Sequence, residues 1–165
     1  MGYGFNAGEV FKVAIQIEEN GRKFYEDSQK NIESAEVRAL FADLALQEIG
    51  HKRKFETLLA QIPPESTTPA VWDPENEIDQ YVKMMADLHV FVSSAIVKIR
   101  VDGIRDAFDA LKLAIEFEKD SVLFFLSIRE AASGKNDREL INSLVKEEQE
   151  HLRRLTLELR KLSDR

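Results

Sequence analysis

The 165-residue sequence contains no cysteine, four prolines and seven glycines. The missing thiol excludes a disulfide framework, a thiolate metal site and a cysteine nucleophile. It fits a cytoplasmic protein. So few helix breakers leave most of the chain free to be helical. No run reaches the roughly 18 apolar residues of a membrane span, which sets the membrane aside. The opening MGYGFNAGEVFK lacks the charged-then-apolar pattern of a signal peptide. Basic residues are scattered and the net charge is −7, so nucleic acid is not an expected partner. With 44% hydrophobic and 32% charged residues, the composition is that of a globular protein. The length suits a single domain spanning 1–165.

Four long segments carry helical periodicity. The first spans about Ala7 to Asn31, with Asn6 as N-cap and Glu9 as its capping-box partner. The second spans about Ser34 to Gln61 and stops at Pro63-Pro64. The third begins near Asp102 or Gly103 and reaches about Ala132, ending at Ser133-Gly134. The fourth starts after Gly134 and runs almost to the end. Short connections make each pair an antiparallel hairpin, one about 7–61 and the other about 103–162. A long crossover, about 62–102, joins them. It opens as a loop that Trp72 anchors, and a short helix follows from about Pro74 or Glu75 to Leu88. VFVSSAIVKIR at 90–100 fits either strand-like packing or a helical turn. The fold class is an all-α four-helix bundle.

The two hairpins align at an offset of one hundred. EIGH at 48–51 falls over EQEH at 148–151, and AIQIEENGRKFY at 14–25 over AIEFEKDSVLFF at 114–125. One offset serves all four helices, so the chain reads as two copies of a helical hairpin.

Each helix has one apolar seam in steps of three and four. The seams are Phe11, Ala14, Glu18, Gly21, Tyr25; then Phe41, Leu44, Glu48, His51, Phe55, Leu58, Ile62. The third helix gives Leu111, Ala114, Glu118, Ser121, Phe125, Ile128, and the fourth Ile141, Leu144, Glu148, His151, Leu155. Every seam is apolar except at one level, where it carries a Glu. The second and fourth add a His one turn on. An isolated buried carboxylate costs several kcal/mol. No Lys or Arg lies at that level, but two divalent cations would neutralise four carboxylates. Residues at i and i+3 share a helix face, so each Glu-x-x-His can reach one centre. Gly21 and Ser121 would leave room beside the metals. The competing reading is a set of surface residues, with Glu19, Glu147 or Glu150 facing inward instead.

These motifs resemble the ferritin-like di-iron carboxylate proteins, and most closely their rubrerythrin-like branch. The resemblance covers nearly the whole chain and implies a ferritin-like bundle. It implies that Glu48 and Glu148 bridge two metals, that His51 and His151 bind one each, and that Glu18 and Glu118 are terminal or bridging. It favours two iron ions per chain, although carboxylate and imidazole donors also admit manganese or zinc. It implies an oxidoreductase acting on hydrogen peroxide or dioxygen, and a homodimer. Rubrerythrins proper carry a cysteine-ligated rubredoxin domain; here a separate electron-donor protein would serve. They also carry an additional Glu where this sequence has Ser121, so the six-ligand set is more symmetric. Ferroxidase or iron-handling activity, and a metal-stabilised structural role without turnover, remain open beside the oxidoreductase.

Tyr25 has two readings: a core aromatic whose hydroxyl finds a carbonyl, or a functional residue, either a donor to a site carboxylate or redox-active. Its repeat mate is Phe125. Phe24, Phe124 and Phe125 are expected in the core or a dimer interface. His89 is expected to be an ordinary, partly exposed histidine. Lys52, Arg53, Lys54, Arg153 and Arg154 read as solvated faces.

Overall fold

The computed structural model describes residues 7–62, 74–132 and 134–164. Asn6, Pro63, Pro64, Trp72 and Ser133, to which the sequence assigns caps, stops and an anchor, lie outside them. The elements in chain order are α1 (Ala7–Ser28), a 3-10 turn (Gln29–Asn31), α2 (Ala35–Ala60), α3 (Glu77–Asp87), α4 (Ser94–Asp102), α5 (Ala107–Ala131) and α6 (Lys135–Ser163). Helix α1 packs on α2, and α5 on α6, which gives the two expected hairpins. Every seam residue named above is buried except the half-buried Ile62. The 3.6-residue period thus specifies which face of each long helix turns inward.

Two expectations need correction. Among its described residues the crossover holds two short helices, α3 and α4, rather than one. The ambiguous 90–100 stretch becomes α4 because Val97 and Val101, four residues apart, share a buried face. Nor does the third long helix begin at Asp102 or Gly103. Gly103 closes α4, and Asp106 caps α5, its carboxylate accepting the Asp109 N–H at 2.9 Å.

The crossover is tied to both hairpins. Asn20 on α1 donates its side-chain amide to the Phe91 carbonyl at 2.8 Å. Asp120 on α5 accepts the Val90 N–H at 2.9 Å. His89 lies 3.1 Å from the Ser121 hydroxyl. Between these ties, Phe91 packs against Phe24 and Phe117, with ring centroids 4.8 Å away in each case.

Gly21 does not leave open space, as the sequence suggested. A Cβ there would overlap the Phe117 ring, lying 2.8 Å from Cε1. Phe117 is fully buried, so moving its ring aside would disturb the core around it. Overpacking of this kind costs about 1–3 kcal/mol. Alanine's better helix propensity returns at most about 1 kcal/mol. Gly21→Ala is therefore expected to lower stability by about 1–2 kcal/mol, or about 2–8 °C in Tm. A Tm equal to or above that of the parent would show that the ring yields freely.

Candidate metal centre

The four Glu-bearing levels meet at one height in the bundle. Glu18 on α1, Glu48 and His51 on α2, Glu118 on α5, and Glu148 and His151 on α6 are all essentially inaccessible to solvent. Two donor clusters form. One joins Glu18, Glu48, His51 and Glu148; the other joins Glu48, Glu118, Glu148 and His151. Within each, the donor atoms lie within 4.8 Å of one another.

Glu48 and Glu148 belong to both clusters, and the distances show how. Glu148 places Oε1 2.7 Å from His51 Nδ1 and Oε2 2.9 Å from His151 Nδ1. Glu48 repeats this with Oε2 3.6 Å from His51 Nδ1 and Oε1 3.7 Å from His151 Nδ1. Glu18 stands 3.4 Å from His51 Nδ1, and Glu118 stands 3.3 Å from His151 Nδ1. The arrangement separates two central carboxylates from two flanking ones. The His51 and His151 rings are nearly parallel, with centroids 5.3 Å apart.

Close as they are, these atoms do not satisfy one another while each ring carries its single proton on Nε2. Both oxygens of Glu18, Glu48 and Glu148, Oε2 of Glu118, and Nδ1 of both histidines are buried without a hydrogen-bond partner. Native proteins leave few such groups unpaired, and each one costs about 1–3 kcal/mol or more. Nine orphaned donors converging at one level are what a metal centre needs. The residues present therefore fit a pair of divalent cations. The remaining inward oxygen, Oε1 of Glu118, accepts the Tyr25 hydroxyl at 2.5 Å.

The outward nitrogens of the histidines are held. His51 Nε2 lies 2.9 Å from Glu147 Oε2, and Glu147 Oε1 accepts Lys54 Nζ at 2.5 Å. His151 Nε2 lies 2.8 Å from Gln47 Oε1. The Gln47 amide is oriented by its own donation to Asp43 Oδ2 at 2.8 Å, and Asp43 pairs with Arg154 at 2.7 Å. Both partners are acceptors, so Nε2 carries the proton in each ring. In the neutral ring, the form that binds metal, the Nδ1 lone pair then points into the cluster, as a ligand requires.

Electrostatics tell the same story. Burial, then the neighbouring Glu48, raises the Glu18 carboxyl well above its ordinary range. Burial, then Glu148, does the same to Glu118. Burial alone would push the histidines down. Glu118 and Glu148 outweigh it and push His151 up to about 10, while Glu148 and Glu147 raise His51. Burial would likewise raise Glu148, but His51 and His151 outweigh it and hold it low. Without metal, the centre keeps protons to offset its carboxylates.

Tyr25 is a fully buried core residue whose hydroxyl meets the Glu118 carboxylate rather than a backbone carbonyl. Burial, then Glu118, raises its hydroxyl well above the ordinary range, so it keeps the proton it donates. His89 departs from expectation: it is 2% exposed. Its Nδ1 accepts the Phe91 N–H at 3.1 Å, which leaves Nε2–H to face Ser121. Burial pushes it down to about 3, so it is neutral. Lys52, Lys54 and Arg154 are half-buried ion-pair partners rather than freely solvated, whereas Arg53 and Arg153 are exposed. Phe24, Phe124 and Phe125 are fully buried within the chain. Glu19 pairs with Arg22, and Glu150 is exposed. Glu147 turns to His51 from outside the cluster. Sequence reasoning missed Gln47 altogether. Its signal was position: Gln47 and Glu147 each precede a Glu-x-x-His, one hundred residues apart.

A family model described as Rubrerythrin matches residues 9–159. The chain belongs to the rubrerythrin family. The matched span contains all six convergent Glu and His residues. Among solved structures, the rubrerythrin-family fold of this chain is similar to that of a Thermotoga maritima protein described as a ferritin-like diiron-carboxylate protein. The likeness has a TM-score of 0.67 at 21% identity, covering 97% of this chain and 98% of that one. It shows the ferritin-like fold. No curated protein matches the sequence. Among the described residues, no helix is long and apolar enough to cross a membrane.

Proposed function

We propose that this rubrerythrin-family chain is a non-haem di-iron oxidoreductase that reduces hydrogen peroxide or dioxygen. Glu18, Glu48 and His51 would hold one iron, and Glu118, Glu148 and His151 the other, with Glu48 and Glu148 shared between them. The observation that carries this reading is the set of nine buried donor atoms without hydrogen-bond partners. Two ferrous ions there supply two electrons together, which with two protons convert hydrogen peroxide to two waters.

The chain's own residues set the conditions. Glu147 and Gln47 hold the His51 and His151 rings with Nδ1 turned inward. Tyr25 keeps its hydroxyl proton and fixes the Glu118 carboxylate by donating to Oε1. Phe24, Phe41, Phe55 and Phe117 are fully buried around this level and keep bulk water away. These 165 residues offer no thiolate for an electron-carrying iron, so a redox centre outside them would supply the reducing equivalents.

The test is metal content per chain in untagged protein purified without chelators, followed by anaerobic ferrous loading and addition of peroxide. Near two irons per chain, and prompt oxidation of two ferrous ions per peroxide, are the expected results. A ferrous spectrum unchanged by peroxide would sink the oxidoreductase reading and leave a structural metal. Hundreds of irons taken up per particle would favour iron storage.

A further inference from the structure

The two halves of the centre match in their ligands and differ behind them. At the offset of one hundred, Glu147 corresponds to Gln47, Lys54 to Arg154, and Tyr25 to Phe125. Behind His51 stands a carboxylate, Glu147, at 2.9 Å, capped by Lys54. Behind His151 stands a neutral amide, Gln47, at 2.8 Å. The negative charge on that side is one link further out, on Asp43, where Arg154 meets it. The flanking carboxylates differ in the same sense. Glu118 gives up electron density at Oε1 to the Tyr25 hydroxyl, whereas both oxygens of Glu18 are free.

A carboxylate hydrogen-bonded to a ligand imidazole raises its basicity, and loss of such a partner costs about 10–100-fold in metal affinity. A donor to a ligand carboxylate lowers that group's basicity. Both differences favour one side. We infer that the centre is electronically lopsided: the Glu18/His51 position is the tight site that fills first, and the Glu118/His151 position is the weak one that fills second. Glu147 and Gln47 are the positioning residues that set the difference. This rests on the dinuclear reading above.

The test uses metal-free full-length protein titrated with Co(II) by calorimetry. Crystals loaded with one equivalent are then examined by anomalous scattering. Two steps at least about tenfold apart are expected, with the first cobalt on the His51 side. Glu147→Gln should weaken the first step by about 10–100-fold and bring the two together. Gln47→Glu should instead tighten the second step, by at least about tenfold. Both side chains are part-exposed and both changes preserve shape, so each variant checks the other. Two indistinguishable steps in the parent protein, or cobalt first on the His151 side, would overturn the inference while leaving the dinuclear centre intact. Absence of cobalt binding would overturn both.

Discussion

Replacing both shared carboxylates, as Glu48→Ala with Glu148→Ala, is expected to abolish metal retention. Each donor cluster loses two of its four residues. What remains is one carboxylate and one imidazole per side, too few to hold a divalent ion through purification. The parent protein should gain about 4 kcal/mol from metal present at a thousandfold excess over its dissociation constant. For a domain of this size that is roughly 8–16 °C in Tm. The double variant should show none of this increment. The alanines also open cavities, so the isosteric pair Glu48→Gln with Glu148→Gln serves as control. It keeps the volume and removes the anionic bridges. Elemental analysis decides the matter: stoichiometric metal in the glutamine pair would refute the ligand assignment.

The second large effect is an opposite response to pH in the metal-free and metal-loaded protein. His151 is pushed up to about 10 in the fold, from an ordinary value of 6.5. Its stabilising contribution is full below pH 6.5 and is lost as pH rises through about 10. His51 is raised as well, and acts in the same direction. Glu18 and Glu118 are raised above 4.5, so the unfolded chain gives up those protons first. That also lowers stability as pH climbs. Glu148, held low, acts the other way, and its contribution is lost only on acidification below 4.5. The metal-free protein should therefore lose stability steadily from pH 5.5 to 8.5. Metal displaces those protons, so its affinity should rise roughly tenfold per pH unit for each proton expelled. Thermal melts with and without Mn(II) across this range should diverge as pH rises. A metal-free Tm that climbs with pH would contradict the assignment of protons to the centre.

The six converging residues were legible in the sequence because two independent patterns selected them. The seam placed a carboxylate inside each helix, and the offset of one hundred placed those carboxylates at matching levels. Helix faces were legible for the same reason, since burial follows the 3.6-residue period. The crossover was harder to read. Its 90–100 stretch is rich in β-branched residues, which fit helix and strand alike over so short a length. The start of α5 was misplaced because Asp102-Gly103 resembles a helix boundary, whereas the working cap is Asp106 with Asp109. His89 looked exposed because nothing local buries it. Its burial comes from α5 and from the Phe91 turn, contacts made across 32 residues in the case of Ser121. Gln47 was overlooked because its role depends on a ring 104 residues away.

Neither donor cluster can be completed by one hairpin. Glu18, Glu48 and His51 come from the first, yet they require Glu148 from the second. During synthesis the first hairpin leaves the ribosome roughly a hundred residues before its partner ligand exists. Until then its acidic face can stay hydrated, and its carboxylates bear no desolvation penalty. The penalty falls due only when the second hairpin docks and water is expelled. Closure of the bundle and capture of protons or metal are thus one event at the end of folding. Metal available where the chain folds would then act at that last step as well as on the stability of its product.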